Sequence, residues 1–176
     1  NLKIQVNVKK NLILLGMMGV GKTTIGKIIA KKQKFKFIDT DLRIEEKNSM
    51  TIAEIFKKKG EKFFRSEEEK IVLNSLEKEE HVIALGGGSF INKLIREKAL
   101  KNAISFWLDI NIKTLNSRVS WNNNRPLLEK DNYKKTMLNL YAKRKIIYKQ
   151  AHHKIICDKM SKGAIVKKII KLYENH

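Results

Sequence analysis

Residues 11–24 read "NLILLGMMGVGKTT", an apolar run followed at once by glycines, a lysine and two threonines. Gly16, Gly21, Lys22 and Thr23 fit the spacing G-x-x-x-x-G-K-[ST], in which each position has a physical task. Glycine lets the backbone take positive φ and approach a ligand closely, so successive N–H groups form an anion-binding nest at a helix N-terminus. Lys22 would reach the β- and γ-phosphates of a nucleotide, and the Thr23 hydroxyl would ligate Mg²⁺. A glycine-rich turn carrying a solvated lysine is the plainer alternative. The context agrees with the phosphate loop, because Leu12 to Leu15 read as a buried strand and "TTIGKIIAKK" as the helix that follows.

Outward from this loop, short apolar runs alternate with helical patterns: "FKFI" (35–38), "HVIAL" (81–85), "AISFWL" (103–108) and "HKIIC" (153–157). The alternation predicts an α/β fold, a three-layer α/β/α arrangement on a central parallel sheet of about five strands. Runs that are apolar on successive residues suit a sheet covered on both faces. Ligands of such sheets sit at the carboxyl ends of the strands. The segments after the first three runs, "GMMGVGKTT", "DTDLR" and "GGGSF", are therefore expected to meet in one crevice. No internal repeat or linker divides residues 1–176, which read as one domain.

About forty residues separate the second and third runs, more than one crossover helix requires. "TIAEIF" opens with Thr51 and Glu54 at capping-box spacing, and "EKFFRSEEEKIVLNSLEK" continues as a second helix. The expectation is a helical, substrate-binding insertion over about 39–68. Further on, "SWNNNRPLLEKDN" (120–132) is polar and holds the only proline, which predicts a mobile lid over about 118–132.

Composition sets outer bounds. The formal charge is +20, yet only six of the 38 basic residues are arginine, and the lysines are scattered along every segment. Scatter of that kind argues against a specific nucleic-acid surface. No stretch approaches the roughly 18 apolar residues of a membrane span and no signal peptide is visible, so a cytoplasmic protein is expected; a monomer is expected besides. The single Cys157 cannot form an internal disulfide and reads as a small buried residue. The four histidines match no catalytic motif.

Three further stretches carry chemistry. "FIDTDLR" sets Asp39 and Asp41 two residues apart at a strand's carboxyl end, where an extended segment would place both on one face. One carboxylate could support Mg²⁺ through water while the other takes a proton from an acceptor hydroxyl; helix capping is the alternative. "FFRSEEE" places Arg65 and Glu68 at neighbouring helical positions, either as a surface ion bridge or with Glu68 aiming Arg65 at an anionic substrate. "GGGSF" puts three glycines at a strand end, as a plain turn or as a place where backbone must approach a ligand.

Taken together these motifs resemble those of the shikimate kinase family: the phosphate loop at 16–24, F-x-D-x-D at 37–41, F-R-x-x-E at 64–68, G-G-G at 86–88, R-P-L-L at 125–128 and R-x-x-x-Y at 144–148. The resemblance implies a P-loop kinase fold and ATP-dependent phosphorylation of the 3-hydroxyl of shikimate, on the route to chorismate and the aromatic amino acids. By matched position, Gly19, Val20, Gly21, Lys22, Thr23 and Thr24 would hold ATP, with Arg118 by the adenine and Arg125 of the lid on the phosphates. Asp41 would act as base, assisted by Lys22 and Arg125. Arg65, Arg144 and the backbone of Gly87 would join Asp41 in binding shikimate. Thr23, and Asp39 through water, would hold Mg²⁺, and Phe56 matches an apolar wall of the substrate site or packs as core. A gluconate-type kinase of the same fold is the nearest rival, and a basic nucleic-acid-binding module the rival from another class.

Overall fold

The computed structural model describes residues 7–119 and 130–176, without the side chains of residues 118, 119, 130 and 131. Five strands, β1 (Asn11–Leu15), β2 (Lys36–Asp39), β3 (His81–Ala84), β4 (Ala103–Asp109) and β5 (His153–Ile156), form one sheet in the order β2-β3-β1-β4-β5. Every pairing is parallel, with Leu12 beside Val82 and Ile104, and Leu14 beside Ala84 and Phe106. All five residues of β1 are buried. Because successive strand residues point to opposite faces, both faces of the sheet are covered there. The edge strands bury only Ile38 and Ile155, as expected where one side meets solvent.

Helix α1 (Lys22–Gln33) packs on β1, β2 and β3 and against α7 (Lys162–Glu174); α4 (Lys93–Asn102) packs on β4 and against α3 (Ile52–Leu76). Fully buried Leu14, Ile29, Val82, Phe106 and Ile169 belong to the resulting core. Helices α2 (Thr40–Asn48) and α3 stand between β2 and β3, with a separate small core of Ile44, Ile55 and Phe64. Thr51 and Glu54 make the capping box reciprocally. The two helices read from the sequence are both present within α3, separated by a kink at Gly60, whose φ of 84° and ψ of 169° leave the helical region. Helices α5 (Ile112–Val119) and α6 (Lys130–Tyr148) follow β4.

Strand order reverses direction at β1: the chain passes from β1 to β2 and β3 on one side, then to β4 and β5 on the other. The crevice at such a switch point, outside the carboxyl ends of the strands, is where ligands bind in open α/β sheets. It is where the loop after β1 and the glycines after β3 lie. Among the described residues, no helix is long and apolar enough to cross a membrane. Cys157 is buried, its Sγ donating to the Ile155 carbonyl.

Candidate active site

Gly21 ends the phosphate loop in a left-handed conformation, φ 101°, and serves as the N-cap of α1 without any side-chain hydrogen bond. Only glycine takes that geometry readily. The first amides of α1 consequently open toward the crevice at the positive end of the helix dipole. Lys22 does not extend into solvent: its Nζ donates to the carbonyls of Gly16 at 2.6 Å and Met17 at 2.9 Å. An ammonium has three donors, so one remains for a ligand. Withdrawal of this group from water lowers its pKa to about 8, against the opposing pull of Asp41 and Asp39.

The two carboxylates sit differently from the extended segment expected. Asp39 is the last residue of β2 and the N-cap of α2, so Asp41 lies in the first turn of a helix. Asp39 divides its oxygens between two roles: Oδ1 accepts from the Leu42 amide at 3.1 Å, and Oδ2 accepts from the Thr23 hydroxyl at 2.6 Å. Capping and the link to the phosphate loop are thus both present in one residue. Asp41 Oδ1 is buried with no hydrogen-bond partner. The other such side-chain atoms among the described residues belong to Trp107, Asn116 and Tyr133, so Asp41 is the one carboxylate in that group. Burial, with Glu68 and Asp39 close by, raises its pKa to about 6.

Arg65 pairs with Glu68 at 2.8 Å, with Glu61 at 3.7 Å, and stands over the Phe64 ring. Glu68 is buried, and its second oxygen accepts from the Ser89 hydroxyl at 2.8 Å. A surface ion bridge is therefore ruled out, and the carboxylate is a fixed bracket for the guanidinium. Ser89, wholly buried, was not legible as a site residue: its partner is 21 positions away. Phe56 is 37% exposed and lies 4.7 Å, ring to ring, from Phe64, which removes its reading as core.

The three glycines after β3 face these side chains one by one. A Cβ on Gly86 would collide with the Asp41 carboxylate, one on Gly87 would stand 3.0 Å from Arg144 Nη1, and one on Gly88 would stand 2.6 Å from Arg65 Nη1. Their smallness makes room for the site's own side chains, where a ligand was the expected neighbour. Val20 is buried, while Gly19 and Thr24 are exposed at the loop's outer side. Arg118 is in α5, but its side chain, like the whole of Arg125 and residues 120–129 of the expected lid, lies outside the described residues.

A phosphate loop at a helix N-terminus, facing a buried carboxylate and two guanidinium groups across a switch point, defines a P-loop phosphotransferase acting on a small molecule. The family model for shikimate kinase matches residues 18–174. A shikimate kinase of Bartonella henselae is 41% identical over 165 residues, covering 94% of this chain and 79% of the relative. The solved structure of an Acinetobacter baumannii shikimate kinase in complex with shikimate superposes with a TM-score of 0.87 at 31% identity, covering 95% of this chain and 94% of that one. The chain belongs to the shikimate kinase family. A gluconokinase from Sinorhizobium meliloti, with a TM-score of 0.60 at 15% identity over 96% of this chain and 95% of its own, shares the fold alone.

Proposed function

We propose that this protein transfers the γ-phosphoryl group of ATP to the 3-hydroxyl of shikimate, with Asp41 as the residue that receives the hydroxyl. The observation that carries the assignment of Asp41 is its buried, unpartnered Oδ1. A carboxylate held away from water without a donor is unfavourable, and an incoming hydroxyl supplies the missing proton. With a pKa raised to about 6, Asp41 is mostly ionised at neutral pH and basic enough to take that proton as the bond to phosphorus forms.

Arg65 and Arg144 would bind the shikimate carboxylate, a planar anion matched to a guanidinium fork, with the Gly87 backbone alongside. The nest of Gly19 to Thr24 would hold the phosphates. On nucleotide binding Lys22 would exchange loop carbonyls for phosphate oxygens, and Arg125 would approach from the lid. Thr23 and Asp39 fit a magnesium ion: a hydroxyl and a carboxylate are the hard oxygen donors it prefers, and it normally keeps waters and phosphates as its remaining ligands. Thr23 would hold it directly and Asp39 through water. Held there, the ion would supply neutralisation of phosphate charge.

The proposed enzyme is a monomer with a single domain and an acceptor-binding insertion over about 39–68. ATP as donor agrees with a cytoplasmic setting. The test is ADP release measured with ATP and Mg²⁺ in the presence of shikimate, of gluconate, or of no acceptor. Release stimulated by shikimate alone is expected; equal or greater stimulation by gluconate overturns the substrate assignment.

A further inference from the structure

The R-x-x-x-Y motif supplies Arg144 to the site and leaves Tyr148 without a task. Tyr148 is fully buried, its ring 5.7 Å from that of Trp107. Its hydroxyl donates to the Gly87 carbonyl and lies 3.9 Å from Met17 Sδ. Arg144 and Tyr148 are one helical turn apart on α6, so both reach Gly87 from the same face. The space where a Cβ would stand on Gly87 is also bordered by Met18 Cγ at 3.6 Å and the Gly16 carbonyl at 3.7 Å. At Gly87, then, the glycine turn of the acceptor side packs directly on the phosphate loop of the donor side.

Three consecutive glycines are required there by Asp41, Arg144 and Arg65, yet such a run has the widest backbone freedom of any tripeptide. The Gly86 amide donates to the Thr40 hydroxyl, and the carbonyls of Gly86 and Gly88 accept from the amides of Ser89 and Ile91, so the carbonyl of Gly87 is the one of the three that a side chain holds. We infer that Tyr148 is a positioning residue: by holding the Gly87 carbonyl it fixes the acceptor side of the site against the phosphate loop. Because a peptide unit is planar, fixing that carbonyl also orients the amide of Gly88, the residue on which Arg65 packs. Burial raises the phenol's pKa to about 12, so the hydroxyl keeps its proton, and its role as donor, at neutral pH. The inference rests on the proposed binding of shikimate beside Gly87.

Tyr148→Phe preserves the ring and its contact with Trp107 and removes the hydroxyl, with its bond to Gly87 and its interaction with Arg144. The KM for shikimate is expected to rise about 5–20-fold, the effect of leaving one acceptor unpaired, with the KM for ATP within twofold of the parent. Amide exchange over 86–89 should accelerate while β4 stays protected. An unchanged shikimate KM overturns the inference, and so does a parallel rise of both KM values, which would mark general loosening. Should the variant fail to fold, exchange in the unliganded parent decides: amides over 86–89 as slow as those of β4 support a held turn, and fast exchange contradicts it. A parent that does not phosphorylate shikimate would sink the functional reading, while the exchange data would still judge the tie to Gly87.

Discussion

A Cβ on Gly88 would stand 2.6 Å from Nη1 of Arg65, while that same nitrogen donates to Glu68 at 2.8 Å. The guanidinium is thus caught between a buried carboxylate and a backbone that must lack a side chain. Both neighbours are set by residues that touch no ligand in the proposed scheme.

Gly88→Ala should therefore act as a partial loss of Arg65. The methyl group displaces the guanidinium, and the KM for shikimate rises about tenfold or more, as for a weakened charge-assisted hydrogen bond. ATP binding should stay within twofold. Steady-state kinetics with each substrate varied in turn checks this; an equal loss for both substrates would show that the turn, and not Arg65, had been damaged.

Arg65→Lys should behave almost as badly as Arg65→Ala. A lysine keeps the charge but not the planar fork that meets Glu68 and an anionic substrate together. Isothermal titration with shikimate should show each variant weaker by about 1.5–3 kcal/mol, and near-normal affinity in the lysine variant would refute a bidentate role.

How much of this was legible beforehand depended on distance along the chain. The strands appear as uninterrupted apolar runs, and the phosphate loop as a local spacing, so both could be read directly. Contacts between remote loops are not written in any local pattern: Tyr148 meets Gly87 across 61 positions, and Ser89 meets Glu68 across 21. The segment at Asp39 and Asp41 misled for a different reason. Both strand end and helix start are compatible with "DTD", and only the capping bond from Leu42 to Asp39 shows that the helix begins at Thr40. The bonds from the Lys22 ammonium to the carbonyls of Gly16 and Met17 likewise follow no pattern that the spacing of the motif shows.

That arrangement makes Lys22→Met a specific test. Methionine fills similar space but cannot donate, so turnover should fall by about 10²–10³-fold, as for loss of one preorganised donor to developing charge. Circular dichroism should show an unchanged fold. Turnover within a few-fold of the parent would remove Lys22 from the phosphate site.

Asp41 should also reveal itself through stability. Its folded-state pKa is raised to about 6 by burial and by Glu68 and Asp39, so its contribution is fully present below the unfolded value near 4 and is lost as pH rises through 6. Above pH 6 the ionised group opposes folding. Asp41→Asn, which removes the charge, should raise the Tm of the unliganded protein at pH 7.5, with the gain vanishing toward pH 4. A gain independent of pH would mean that the carboxylate's ionisation is not the cause.

The most direct measurement is the turnover of Asp41→Asn with ATP, Mg²⁺ and shikimate, accompanied by ATP titration of the same variant. Asparagine keeps the shape and can still accept a hydrogen bond, but it is a far poorer base and carries no charge. The account predicts a kcat lower by about 10²–10⁴-fold with ATP affinity unchanged, and no recovery on adding Mg²⁺. Asp39→Asn, by contrast, should recover in part with excess metal. Near-normal turnover of Asp41→Asn, or its restoration by Mg²⁺, would contradict the assignment of Asp41 as the group that receives the acceptor hydroxyl.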